Sequence, residues 1–183
     1  MMIINFFKHL NVVNKHRYKV FKLCCKAGIP FRGLIHDLSK YSPTEFWEGV
    51  KYFDGKISPI KVCKKEHGYS KAWLHHKGRN KHHFEYWIDI NTKEKTPVIP
   101  YKYTVEMICD NIAAGMTYHS KDWVPSDCLK YFEKRTDLEW MNDSIKEVLI
   151  EVYNSLIING LDKTINKKFL KEVYNKHVKW QRW

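Results

Sequence analysis

The sequence predicts an all-α fold, and three observations carry that reading. Apolar residues recur at spacings of three and four, as at Leu10, Val13, Val20, Leu23 and Cys24, the period of one helix face. No stretch alternates apolar and polar residues for long enough to count as a strand. Helix punctuation is clear: Ser42-Pro43-Thr44-Glu45 joins a capping serine, a proline at the first helical position and a glutamate that completes a capping box.

The elements follow in order. A first helix over 5–26 stops at Gly28 and places His16 on or beside its apolar face. Ile29-Pro30 starts a short second helix carrying Leu34, His36, Asp37 and Leu38. The Ser42 cap starts a third. Residues 54–65 read as a loop with room for a short helix, and 66–87 read as largely helical, with Gly68 and Gly78 as points where it can break. If that helix is continuous, Ala72, Trp73, His76, Asn80, His83 and Trp87 share one face, with His75 and His82 about 100° away. Lysines, threonines and two prolines make 91–100 a loop. A helix over 104–118 turns Val105, Ile108, Cys109, Ile112 and Met116 inward and leaves Asp110 at the edge of that face. Pro125 opens a helix to about Lys134, and a pair near 143–159 and 162–180 is separated by Gly160.

Composition bounds the rest. A chain of 183 residues with 44% hydrophobic and 15% aromatic content suits a single domain, 1–183, with its own core. No apolar run approaches the roughly 20 residues that cross a bilayer, and the opening Met-Met-Ile-Ile-Asn-Phe-Phe-Lys lacks the basic start and cleavage site of a signal peptide. Five cysteines without Cys-x-x-Cys spacing argue against a zinc finger and favour reduced thiols, so a cytoplasmic location is expected. The net charge of +12 is uneven: residues 1–100 hold 19 Lys and Arg against 8 Asp and Glu, and residues 101–183 hold 13 against 12. A basic first half attracts anions, phosphates first, and nucleic acid is the other candidate.

That basic half also holds most of the histidines. His16, the adjacent His36-Asp37, then His75, His76, His82 and His83, then Asp110 inside Met107-Ile108-Cys109-Asp110-Asn111-Ile112 form a scattered set of metal-ligand types. Imidazole nitrogen with carboxylate oxygen suits Fe, Mn, Zn, Ni or Co, and a carboxylate can bridge two such ions. Were 76–83 one helix, His76 and His83 would lie two turns and about 10 Å apart. They would then serve two ions, unless a break at Gly78 brought them together.

The order His16, His36-Asp37, further histidines, Asp110 resembles the HD superfamily of metal-dependent phosphohydrolases, and Leu38-Ser39-Lys40 after the doublet strengthens the likeness. The blocks His-Asp-Leu-Ser-Lys-Tyr-Ser-Pro-Thr-Glu-Phe at 36–46, Asn-Lys-His-His-Phe-Glu-Tyr-Trp at 80–87 and Glu-Met-Ile-Cys-Asp at 106–110 are similar to a small uncharacterised HD-like family. The resemblance implies an HD-like helical bundle with its metal core over about 9–120 and an additional C-terminal helical pair within 121–183. It implies a first metal on His16, His36, Asp37 and Asp110, and a second on His76 with one or both of His82 and His83, bridged by Asp37. One or two divalent transition-metal ions are expected.

The activity so implied is hydrolysis of a nucleotide or another small phosphoester by a metal-activated water, with Asp37 and Lys40 catalytic. Lys40, Arg79, Asn80 and Lys81 are the candidates for holding the phosphate, Glu85 for orienting a ligand histidine, and Trp47, Tyr52, Trp73, Tyr86 and Trp87 for stacking a base. Two alternatives stand beside it: an HD-type di-iron oxygenase, and a non-catalytic nucleotide- or nucleic-acid-binding protein on the same scaffold. The expected partner is a small anionic phosphate-containing substrate, with nucleic acid second and no membrane.

Overall fold

The computed structural model describes residues 2–178, and helices are the only regular elements among them. They are α1 (Met2–Lys26), α2 (Pro30–Ile35), α3 (Pro43–Lys51), α4 (Pro59–His67), α5 (Lys71–Lys77), α6 (Tyr101–Tyr118), α7 (Ser126–Glu133), α8 (Asp143–Thr164) and α9 (Lys167–His177), with short 3₁₀ turns between them.

Helix α1 buries His9, Val13, His16, Val20, Leu23 and Cys24, one stripe at helical spacing. It ends where Gly28 takes a φ of 77°, and the bonds from Ile29 N to Cys24 O and from Gly28 N to Cys25 O close a Schellman motif. The chain then folds back so closely that a Cβ on Gly33 would lie 2.6 Å from the Cβ of Cys24. This contact seats α2 on α1 and carries the following residues over His16.

The doublet is not helical. Helix α2 stops at Ile35, His36 caps it in an extended conformation, and Asp37 takes φ 54°, ψ 27° before a 3₁₀ turn over Leu38–Tyr41. A left-handed backbone costs an L-residue about 1–2 kcal/mol, less for Asp and Asn, so His36-Asp37 is a corner held by its surroundings. Ser42 then caps α3 as its sequence predicts, its Oγ accepting from Glu45 N. The Glu45 carboxylate does not close a capping box: it turns to His75 and His76.

The helix expected over 66–87 is three pieces. Gly68 ends α4 with a φ of 77°, Ser70 caps a new start at α5, and α5 ends at Lys77, leaving 78–83 as turns before the 3₁₀ segment Phe84–Trp87. Helix α6 is the centre of the molecule, burying Thr104, Val105, Glu106, Met107, Ile108, Cys109, Ile112 and Ala113.

The C-terminal helices complete the same core and do not stand apart as a pair. Ile145, Val148, Leu149, Val152 and Leu156 of α8 and Leu170 of α9 pack in one cluster with Val20, Cys24, Ile108 and Ile112. Gly160, at φ 75° and ψ 177°, interrupts α8 at the position where the sequence places a break, and a further helical turn runs on to Thr164 before α9. Positions 179 and 180 of the expected last helix lie outside the described residues.

Candidate metal centre

Four stretches converge on Asp37. His16 comes from the buried stripe of α1, His36 and Asp37 from the corner, Asp110 from α6, and His76, His82 and His83 from the end of α5 and the turns after it. They form two groups that share Asp37: His16, His36, Asp37 and Asp110, and Asp37, His76, His82 and His83. Within each group the potential ligand atoms lie within 4.8 Å of one another, so each could hold a metal ion.

The two oxygens of Asp37 face different histidines. Oδ2 lies 3.2 Å from His36 Nε2 and 3.8 Å from His16 Nε2, while Oδ1 lies 3.3 Å from His76 Nε2 and 3.4 Å from His82 Nε2. Asp110 is divided in the same way, with Oδ1 at 3.0 Å from His16 Nε2 and Oδ2 at 3.7 Å from His82 Nε2. The break after α5 brings His76 Nε2 to 2.9 Å from His83 Nε2, so the two-turn separation of a continuous helix does not arise.

The donor set fits a divalent cation. His16 Nε2, His36 Nε2, His82 Nε2 and Asp37 Oδ1 are buried with no hydrogen-bond partner among the described residues. Buried polar atoms without partners are rare and costly, and here they point at one another. Their mutual approach is acceptor against acceptor unless a proton or a cation lies between them.

The opposite edges of the imidazoles are held. Glu106 accepts from His36 Nδ1 at 3.0 Å and lies 3.3 Å from His82 Nδ1, which reaches one histidine of each group. Arg32 fixes Glu106 from behind through Nε at 2.7 Å and Nη2 at 2.6 Å. Glu45 accepts from His76 Nδ1 at 2.7 Å and from His75 Nδ1 at 2.6 Å. Such carboxylates fix the ring tautomer and leave Nε2 as the free donor.

Charge is matched to that role. Burial alone would raise the Asp37 carboxyl, but His36, Lys40 and His76 outweigh it and hold the group well below its usual range. Asp110 is likewise held low by His16 and His36 against its burial. Glu106, buried but hydrogen-bonded to His36 and close to the His82 ring, falls to about 2. Burial, helped by neighbouring positive groups, lowers His16 and His83, keeping them neutral and competent as ligands. In His36 burial is overcome by Asp37, Asp110 and Glu106, which raise it.

Of the residues proposed to hold phosphate, Lys40 reaches the cluster, its Nζ 2.7 Å from Asp37 Oδ2. Asn80 is committed to Ser39 Oγ and the His76 carbonyl, both at 2.8 Å. Arg79 is exposed and turns its guanidinium to the His75 carbonyl, and the Lys81 ammonium lies over the Tyr86 and Tyr103 rings; the structure does not bring these two into the cluster. Glu85 is corrected. Its Oε1 accepts from Arg135 at 2.9 Å, because the 3₁₀ turn aims it at the segment that follows α7, and the carboxylates on the imidazoles are Glu45 and Glu106.

Glu106 could have been read from its place four residues before Asp110, one turn along the same face. Glu45 and Arg32 carry no such signal. Of the aromatic candidates, Trp73 lies against the cluster, 5.1 Å from the His83 ring centroid. A cavity of about 20 Å³ adjoins His82, His83 and Asp110 on the side of Asn111, Arg135 and Tyr153, room for one water.

No curated protein and no solved structure matches the chain. One family model does, over residues 5–155, a span that includes both groups and both supporting carboxylates. The chain therefore belongs to the family described as "Family of unknown function (DUF5662)".

Proposed function

We propose that the protein is a metal-dependent phosphohydrolase acting on a nucleotide or another small phosphoester, with two divalent ions bridged by Asp37. The observation that carries this reading is the division of the Asp37 carboxylate, one oxygen towards His16 and His36, the other towards His76 and His82. His16, His36, Asp37 and Asp110 would hold one ion, and Asp37, His76, His82 and His83 the other. Ions so held would supply an activated water and a Lewis acid for the phosphoryl oxygens.

The chain's own groups do the rest. Lys40 stands beside Asp37 with about a quarter of its side chain exposed, so its ammonium can meet an arriving phosphate and neutralise charge that builds on it. Glu106 and Glu45 keep protons on Nδ1 and so keep Nε2 of His36 and His76 directed inward. The buried walls limit water around Asp37 and strengthen every charge interaction there.

The deciding experiment measures metal per chain in protein purified without oxygen, then hydrolysis across mononucleotides, cyclic nucleotides and dinucleotides. The proposal expects about two ions per chain and turnover that Asp37→Ala abolishes. Iron at both positions with oxygen consumption and no hydrolysis would establish the oxygenase reading instead. Nucleotide binding without turnover, retained in Asp37→Ala, would establish a binding protein.

A further inference from the structure

The charge excess of the first half of the chain is strongest over its first helices, and most of it lies away from the candidate metal centre. Residues 2–36 contain seven Lys and Arg and no carboxylate. Four of these cations have work inside the protein. Arg17 binds the carbonyls of Leu34 and His36, Lys19 the carbonyl of Met116, Lys26 pairs with Asp162, and Arg32 holds Glu106. Lys8, Lys15 and Lys22 make no ion pair or hydrogen bond among the described residues, and all three are exposed.

Their spacing is regular. Seven residues advance a helix by about 10 Å and rotate it by about 20°, so the three ammoniums form a row along one side of α1. Ile4, Phe7 and Tyr18 are 58%, 64% and 63% exposed and fall with that row inside an arc of about 100°. The opposite side of the helix carries His9, Val13 and His16 into the protein. Helix α1 thus has one face in the candidate metal centre and another that offers solvent an apolar and cationic strip.

We infer that this outer strip of α1 docks the protein on an anionic lipid surface, with Ile4 and Phe7 entering the headgroup boundary and the lysine row meeting lipid phosphates. Charge complementarity selects that occupant. Interfacial helices combine apolar side chains with lysines whose stems lie along the boundary and whose ammoniums reach the headgroups. A second copy is disfavoured, because a two-fold contact through the strip would set three lysines against three with no carboxylate in it to compensate. Nucleic acid would reward the lysines but leave Ile4 and Phe7 uncovered. No helix of the described residues is long and apolar enough to cross a membrane; lying on one is a different demand, and the inference parts there from the expectation of no membrane.

The test is co-sedimentation of the full chain with phosphatidylcholine vesicles, with and without phosphatidylserine. Retention is expected on the phosphatidylserine vesicles and is reversed by salt. Lysine contributes about fivefold per residue at such a surface, so the combined K8Q, K15Q and K22Q protein should bind roughly 100-fold more weakly. Ile4→Ser and Phe7→Ser should each weaken binding about tenfold. Metal content and thermal midpoint should stay at parental values in all variants, which separates lost docking from lost folding. Equal retention with and without phosphatidylserine, or none, overturns the inference. So does a dimer that Ile4→Ser and Phe7→Ser dissolve, or binding to duplex DNA that needs the lysines and is indifferent to Ile4 and Phe7.

Discussion

The two ligand groups that share Asp37 are built in different ways. The first is gathered from α1, the His36 corner and α6, so that His16 and Asp110 meet across 94 positions of sequence on two long helices packed in the core. Apart from Asp37 itself, the second comes from eight consecutive positions, 76–83, on the end of a two-turn helix and the turns after it. Long helices in a close-packed core resist displacement, whereas turns adapt. The first group is therefore set by the packing of long helices, whereas the second rests on a few local contacts, such as Glu45 on His76 and Asn80 on Ser39.

The difference can be broken outright at the shared residue. Asp37→Ala removes the one carboxylate common to both groups, and metal content per chain should fall to background at both positions together. Loss of a single ion by elemental analysis would mean that the groups are independent.

Glu106 is the next largest test, because it touches His36 of the first group and His82 of the second. Glu106→Gln should weaken both affinities roughly 10- to 100-fold. It should also destabilise the protein by about 3 kcal/mol, because the largely buried Arg32 is left without its partner. Metal titration and urea unfolding read the two effects separately.

A pH dependence probes the α1 side through His9, read as the difference between the parent and a His9 variant. His9 is packed against the Phe46 and Phe53 rings, and burial with the nearby Lys40 charge lowers it to about 4. A lowered histidine binds its proton more readily when unfolded. Stability should therefore be intact above about pH 6.5 and fall as the pH drops towards 4. The effect is roughly 2 kcal/mol after allowance for solvent screening. His9→Leu should flatten that part of a curve of urea midpoint against pH.

Two smaller effects belong to the second group. Glu45→Gln frees Nδ1 of His76 and should weaken the second ion about tenfold while leaving the first unchanged, a split visible as two steps in a metal titration. Gly78→Ala should shift stability by less than about 0.5 kcal/mol. Gly78 has an ordinary φ of −74°, and an added Cβ would meet the Leu74 carbonyl oxygen at 3.3 Å. The break after α5 then owes nothing to glycine's special freedom. A large loss of metal affinity in that variant would contradict this.

The parts of the molecule that local chemistry specifies were legible. The α1 stripe follows from apolar spacing, its end from Gly28, and the start of α3 from Ser42 and Pro43. The ligand types and their order could also be read, since imidazole and carboxylate chemistry belongs to the residue and not to its surroundings. Arrangement set by tertiary contact could not. Gly78 marks in the sequence where the helix can break and bring His76 and His83 together, but that they do meet rests on Asn80 bonding Ser39, 41 positions away. Glu45 reads as a capping residue until the histidines of α5 are seen beside it. Glu85 reads as a histidine partner until Arg135 is seen to claim it.

The left-handed backbone at Asp37 has a consequence for which replacements can exist there. The corner accepts Asp, Asn or Gly at low cost, while facing both histidine groups takes a short anionic side chain with two oxygens. Asn keeps the corner and loses the charge. Glu keeps the charge, but its extra methylene moves the oxygens and its backbone resists the corner. Gly keeps only the corner. Each customary conservative exchange fails in its own way, so position 37 admits a single solution.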